Sequence, residues 1–182
     1  HKKLTDLYSK ARKIKGIKKI SIGSGLRYDL FLNSNNPATA NDNLNYFSEL
    51  LKHHVSGRLK VAPEHSSERV LKAMRKVSFN DFRKIEKLFN SINKKHNLNQ
   101  QLIPYFISGH PACTEEDMAE LAAETKYMGF KLEQVQAFTP TPMTLSSVMY
   151  YTGIDPYTNQ EIFSAKSKTE REEQQMFFFC YN

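Results

Sequence analysis

The apolar positions of this chain follow two periods in turn, one near that of a helix and one of two residues, and each change of period marks a new element. Leu4, Leu7, Tyr8, Ala11 and Ile14 share one helical stripe, and Gly16 is placed to end that helix. Ile17-Lys-Lys-Ile-Ser-Ile22 is a predicted strand, and Gly23-Ser-Gly-Leu-Arg-Tyr-Asp29 a polar loop after it. Residues 33–43, rich in Asn, Ser and Thr and carrying Pro37, read as a loop. Leu44, Phe47, Leu50, Leu51 and Val55 mark a second helix, capped by Asp42 or Asn43 and broken at Gly57. Leu59-Lys-Val-Ala62 is a short strand, and Ser66 or Ser67 caps a helix over 68–75 that turns Val70, Leu71 and Met74 inward. Ser78 and Asp81 have the spacing of a capping box for a long helix to about His96, with Phe79, Phe82, Ile85, Phe89 and Ile92 buried.

Leu102 to Ile107 is a compact run of β-formers, the pattern of a strand buried on both faces. Ser108-Gly-His-Pro-Ala-Cys113 is then a tight polar loop, and Thr114 with Asp117 caps a helix presenting Met118, Leu121, Ala122, Thr125 and Met128 inward until Gly129. A turn of this kind before a helix start is expected to leave amide donors facing a cleft. Residues 132–138 alternate as a strand, whereas Thr139-Pro-Thr-Pro142 cannot join a ladder. Gly153, Asp155 and Pro156 mark a turn, Ser167 and Glu170 form a third box, and Met176-Phe-Phe-Phe179 is apolar enough to dock on the body. Repeated alternation of strand and helix argues for an α/β fold with parallel strands and right-handed helical crossovers.

Composition changes this picture in three places. The chain has 182 residues, begins at His1 in the middle of an amphipathic pattern, and is expected to be a piece of a longer protein. It has no apolar run long enough to span a membrane and no signal-peptide pattern, and only two cysteines, Cys113 and Cys180, so a reducing, cytoplasmic setting is expected. The net charge of +7 suits an anionic partner, but the lysines read as spread along helix faces, which favours solvated exteriors over a nucleic-acid surface.

In parallel α/β architectures ligands gather at the carboxyl ends of the strands. The predicted strands end in Ser24, Arg27 and Asp29; in Glu64 and His65; in Ser108, His110 and Cys113; and in Thr139 and Thr141. Each has a plain structural role available: Arg27 as a partner of Asp29, Glu64 as an acceptor for a loop amide, His65 as a core histidine, Cys113 as a small buried residue. His110 and Cys113, three apart before a helix start, also suit a Cys–His nucleophile pair, although no third orienting group is visible. His53 and His54 close a helix with nothing nearby to complete a metal site.

Several long strings then carry a resemblance: Leu59-Lys-Val-Ala-Pro-Glu-His-Ser-Ser-Glu-Arg-Val-Leu71, Ile103-Pro-Tyr-Phe-Ile-Ser-Gly-His-Pro-Ala-Cys-Thr114, Val135-Gln-Ala-Phe-Thr-Pro-Thr-Pro-Met143 and Met149-Tyr-Tyr-Thr-Gly153. With Ile20 to Leu30 they resemble the YgiQ-type radical SAM proteins over nearly the whole chain. The resemblance implies a partial (βα) barrel fragment, residues 1–138, holding the C-terminal half of a radical SAM domain, and a C-terminal extension, 139–182, that packs on it and ends in a helix. It implies S-adenosylmethionine and a [4Fe–4S] cluster as cofactors of the full-length protein, which would reductively cleave the former to a 5′-deoxyadenosyl radical. The three-cysteine loop for that cluster is absent from this chain, which is therefore expected to be inactive alone and to have the N-terminal half of the same protein as its partner.

The same resemblance implies cofactor contacts at Ser24, Arg27 and Glu64 and in the turn Ser108, Gly109, His110 and Pro111, with His65 and Cys113 toward an unknown substrate. Cys113 stands where other radical SAM turns carry a glutamate, so that residue's role does not carry over. Two readings of other classes remain beside it: a basic nucleic-acid-binding module and a Cys–His hydrolase. A half-barrel also leaves apolar faces and a sheet edge uncovered, so self-association is expected.

Overall fold

A computed structural model describes residues 1–32, 36–130 and 135–178. The elements run α1 (Lys2–Arg12), α2 (Asp29–Leu32), α3 (Pro37–His54), β1 (Arg58–Glu64), α4 (Glu68–Ala73), α5 (Phe79–His96), β2 (Gln101–Ser108), α6 (Glu115–Tyr127), β3 (Val135–Ala137), α7 (Leu145–Thr152) and α8 (Lys168–Met176). The strands form a three-stranded parallel sheet in the order β1-β2-β3, with Phe106 opposite Val135 and Ser108 opposite Ala137. Pro104, which cannot donate to a ladder, lies before the β3 register begins at Phe106. The mixed α/β class with parallel strands, flanking helices and a closing C-terminal helix is as the sequence pattern expects. The chain divides into two compact units, His1–Ala62 with Asn80–Ile103, and Pro63–Phe79 with Pro104–Asn182.

In the first unit α5 turns its predicted face inward: Phe82, Ile85, Phe89 and Ile92 are all buried, as are Phe47, Leu50 and Leu51 of α3. Three expectations change here. α1 forms with Lys10 and Arg12 in its last turn, yet it buries none of its residues, and Leu7 and Ile14 are 57% and 58% exposed. Residues 17–22 are not a strand; Ile22 N–H donates to the His54 carbonyl (2.8 Å), and a parallel bridge to β1, Leu26 to Val61, forms only beyond the segment. An alternating pattern makes a strand only where a neighbouring strand is there to pair with it. The predicted loop over 33–43 is helix from Pro37 onward, its first residues 33–35 lying outside the described residues. Asn36 is extended and its side chain accepts the Ala38 and Thr39 amides, while Pro37 takes the first helical position, where a missing N–H costs nothing.

In the second unit the boxes Thr114–Asp117 and Ser167–Glu170 form as expected, capping α6 and α8 reciprocally. At the start of α5, Glu68 contributes as well: its Oε1 accepts the Ser78 hydroxyl (2.6 Å) and the Phe79 amide (3.1 Å). Gly129 at φ 73° ends α6, as predicted. β3 is described only from Val135, so Leu132 of the predicted strand lies outside the described residues. After α7, Gly153 caps in the left-handed conformation and Ile154 bridges Glu161 antiparallel across the predicted turn. The terminal apolar run docks in part: Phe178 is buried, Met176 is 57% exposed, and Phe179 and Cys180 lie outside the described residues. Among the described residues no helix is long and apolar enough to cross a membrane.

Candidate functional site

Where β1, β2 and β3 end, the second unit encloses a cavity of about 380 Å³. Four of the predicted strand-end residues line it: Glu64, His110, Thr139 and Thr141. Ile107, Phe138 and Met74 give it an apolar side, and Lys76, Thr144 and Ser146 add polar groups that the strand-end reasoning missed.

Glu64 is the last residue of β1 and sits at φ 68°, a conformation that costs an ordinary side chain of order 1 kcal/mol or more. Its carboxylate pairs with Lys76 Nζ at 2.8 Å, across the turn that follows α4. His110 is 4% exposed and its two ring nitrogens are both engaged. Nδ1 lies 2.7 Å from the Pro111 carbonyl, which can only accept, so Nδ1 carries the proton. Nε2 is then an acceptor, and the Ser146 hydroxyl donates to it at 2.9 Å. Burial lowers the His110 pKa to about 4, against the Pro111 bond that raises it, so the ring is neutral near pH 7. Phe138 stands edge-on to the imidazole, with ring centroids 5.1 Å apart.

This tautomer fixes the polarity of the cavity wall. Ser146 spends its hydrogen on His110, and Thr144, the N-cap of α7, spends its own on the Thr141 carbonyl at 2.8 Å. The Ser146 oxygen and the Glu64 carboxylate remain as acceptors, and the Lys76 ammonium and the Gln136 amide add donors. The wall therefore suits a ligand that brings both donors and acceptors, such as a sugar or a heterocyclic base, against an apolar face.

His65 and Cys113 lie in the same unit but are fully buried and are not part of this lining. The Ser67 amide donates to His65 Nδ1 (3.0 Å), so the proton of the neutral ring is on Nε2, 3.4 Å from Cys113 Sγ. A base for the thiol would need that nitrogen bare. Burial lowers the His65 pKa to about 4, and burial, with the Asp117 charge, pushes the Cys113 thiol up to about 12. The expected Cys–His nucleophile pair is thus corrected: Cys113 faces His65 rather than the His110 ring, and its environment suppresses the thiolate instead of favouring it.

Four amides of the turn are used internally. Gly109 N–H donates to Gln174 Oε1 (2.9 Å), Ala112 N–H to the Phe163 carbonyl (2.8 Å), and Cys113 N–H to the His110 carbonyl (2.9 Å). Thr114 N–H goes to Asp117, whose carboxylate also pairs with Arg69. Arg69 Nη1 reaches the Ala112 carbonyl (2.5 Å), with Ala112 at φ 74°. These four amides do not face a cleft as expected: α8 takes Gly109, the capping box takes Thr114, and the Phe163 and His110 carbonyls take Ala112 and Cys113. Ser108, Gly109 and Pro111 are buried in this turn and do not line the cavity; His110 alone of the four reaches it.

Ser24 and Arg27 belong to the first unit, where both are exposed and Arg27 gives Nε and Nη2 to Asp29 at 2.9 and 2.6 Å. Among the described residues no group of His, Cys, Asp and Glu is arranged to hold a metal ion.

Residues 133–176, which include the β3 edge of the cavity and α7, match a family described as a domain of unknown function, DUF3362. Along its whole length the chain is 56% identical to part of a UPF0313 protein of Bacteroides thetaiotaomicron, covering 29% of that protein. It is 56% identical over 182 residues to a UPF0313 protein of Porphyromonas gingivalis, again covering 29% of it. To one of Methanocella arvoryzae it is 46% identical over 171 residues, 94% of this chain and 27% of that protein. The chain spans less than a third of the curated relatives it matches and corresponds to one part of a larger UPF0313 protein.

Proposed function

We propose that this chain is the C-terminal part of a radical SAM catalytic domain and that its strand-end cavity receives the adenosyl portion of S-adenosylmethionine. One observation carries the reading: Glu64, His110, Thr139 and Thr141, from three successive strand ends, line one cavity that joins polar groups to an apolar side. An adenosyl group fits that mixed lining, its ring nitrogens being acceptors for the Lys76 and Gln136 donors. Its ribose hydroxyls and exocyclic amine are donors for Glu64 and the Ser146 oxygen, and its ring and sugar carbons suit Ile107, Phe138 and Met74. When bound at a reduced cluster, the cofactor supplies a carbon radical for hydrogen abstraction. This chain's residues bind and orient it: Lys76 fixes the Glu64 carboxylate, and neutral His110 fixes the Ser146 hydroxyl.

The cluster itself does not fit these residues. Cys113 is buried as a thiol against His65, and a cluster needs several cysteine thiolates brought together. The iron–sulfur site therefore has to come from the remainder of the larger protein. The test uses a full-length protein of this kind, reconstituted anaerobically with iron and sulfide and then reduced. Release of 5′-deoxyadenosine from S-adenosylmethionine is expected, and none would sink the proposal. In that protein Glu64→Gln should weaken cofactor binding by about tenfold or more, the loss of a charge-assisted hydrogen bond of about 1.5–3 kcal/mol. The 182-residue chain alone should show no micromolar binding in calorimetry.

A further inference from the structure

The positive charge of this chain is concentrated, not spread as its helix faces first suggest. The first 19 residues carry eight Lys and Arg against Asp6 alone, a net of +7, and the rest of the chain balances with 18 of each sign. Where α1 ends and the extended segment after Gly16 begins, these cations enclose a second cavity of about 290 Å³ in the first unit. Arg12, Lys18, Lys19 and His53 line it together with Ile17 and Ile20, and no carboxylate does.

Glu49 sits behind the cluster. It pairs with Arg12 Nη2, accepts from Ser9 Oγ at 3.3 Å, and lies 3.6 Å from His53 Nε2. One carboxylate holds Arg12 and His53 in place; it does not neutralise a guanidinium, two ammonium groups and an imidazole. The protonated form of His53 is disfavoured first by burial; Glu49 favours it, and Arg12, Lys52 and His54 oppose it. Cations that answer the negative end of a helix would account for Lys10 and Arg12 in the last turn of α1. They do not account for Lys18 and Lys19, which come from beyond Gly16 and share the cavity.

We propose that this cavity binds the phosphate group of a phosphorylated ligand, at a site that shares no lining residue with the cavity at the strand ends. A planar guanidinium beside flexible ammonium groups is the donor set that oxyanions of phosphorus select, and the volume leaves room for more than one phosphate or for the group that carries it. Ile17 and Ile20 supply the apolar wall for that carrier. The phosphate can belong to a small molecule or to a polynucleotide backbone, and both present the same chemistry here.

Calorimetry of the 182-residue chain with pyrophosphate, and anisotropy with a short labelled oligouridylate, separate these sources. The paired substitution Lys18→Gln with Lys19→Gln should weaken binding by about tenfold or more, two charge-assisted contacts being lost. Lys94→Gln with Lys95→Gln removes the same charge from the exposed end of α5 and should leave binding within about twofold, since distant surface charge is screened. Far-UV circular dichroism checks that both variants keep their helices. Pyrophosphate binding that depends on Lys18 and Lys19 supports the site and marks a small ligand as sufficient. Tighter oligouridylate binding with the same dependence and a steep salt slope supports it with a polymer as the source. Equal loss in both variants, or binding of neither probe, overturns it.

Discussion

At Cys113 two neighbours decide what a lone thiol can do. His65 presents an N–H to the sulfur, and burial raises the thiol pKa to about 12 from 9.0. At pH 8 the thiolate fraction is then about a thousandfold below that of an ordinary cysteine. Alkylation of native protein with iodoacetamide, followed peptide by peptide so that Cys180 is read separately, should label Cys113 only after denaturant is added. Rapid native labelling would reverse the assignment. The two buried histidines make a second prediction. His65 and His110 each hold a pKa of about 4 against an ordinary 6.5, so between those values the unfolded chain binds protons that the folded one refuses. Stability therefore rises with pH across that window, is complete above about 6.5, and is lost as pH falls toward 4, by up to about 3 kcal/mol per histidine. Urea midpoints measured from pH 7 down to 4 should fall, and His65→Asn should flatten the fall. Glu64, His110, Thr139 and Thr141 were legible in the sequence because strand ends have a fixed function in parallel sheets. Lys76 and Ser146 were not, since each reaches the cavity through a turn whose path no periodicity records.

Among the elements, α8 has little apolar surface to hold it, and its one buried residue is polar. Gln174 is fully buried; its Oε1 accepts the Gly109 amide and its Nε2 donates to the Cys113 carbonyl at 2.8 Å. One side chain thus closes both ends of the β2–α6 turn that presents His110. Gln174→Ala leaves a buried donor and a buried acceptor bare, which should cost about 2–4 kcal/mol in urea unfolding. Gln174→Glu keeps the acceptor for Gly109 but buries a charge, so it should not rescue. A loss under about 0.5 kcal/mol in the alanine variant would show that water replaces the strap. The sequence predicts α8 itself, through the Ser167–Glu170 box, but not its attachment, because a 65-residue hydrogen bond has no local signal. The same division explains the other elements. The α5 face and the α6 box rest on neighbours within a turn or two and were readable. The segment 17–22 alternates like a strand but needs a partner strand, and the start of α3 was hidden by loop-like composition although Asn36-Pro37 is a cap followed by a first-turn proline.

Across the whole molecule, the surface of the first 19 residues combines two properties that oppose each other. Leu4, Leu7, Ile14 and Ile17 are 38%, 57%, 58% and 45% exposed, an apolar stripe on and just after α1, and the same residues carry the chain's net +7. Two such stripes would bury each other's apolar surface at about 25 cal/mol per Å². Bringing them together also brings two strongly cationic segments within a Debye length, about 10 Å at 0.1 M salt. Self-association of this chain should therefore be weak at low ionic strength and rise with salt, the reverse of an association built on ion pairs. Sedimentation velocity over a protein concentration series, in low and in high sodium chloride, measures this directly. Leu7→Glu with Ile14→Glu removes apolar surface and lowers the repulsion at once, so a fall in association despite the reduced charge locates the contact on α1. If the variant associates as the parent does, the contact lies instead on exposed apolar residues of the second unit such as Met143, Tyr151 and Tyr157. If salt loosens the assembly, apolar burial is not what drives it.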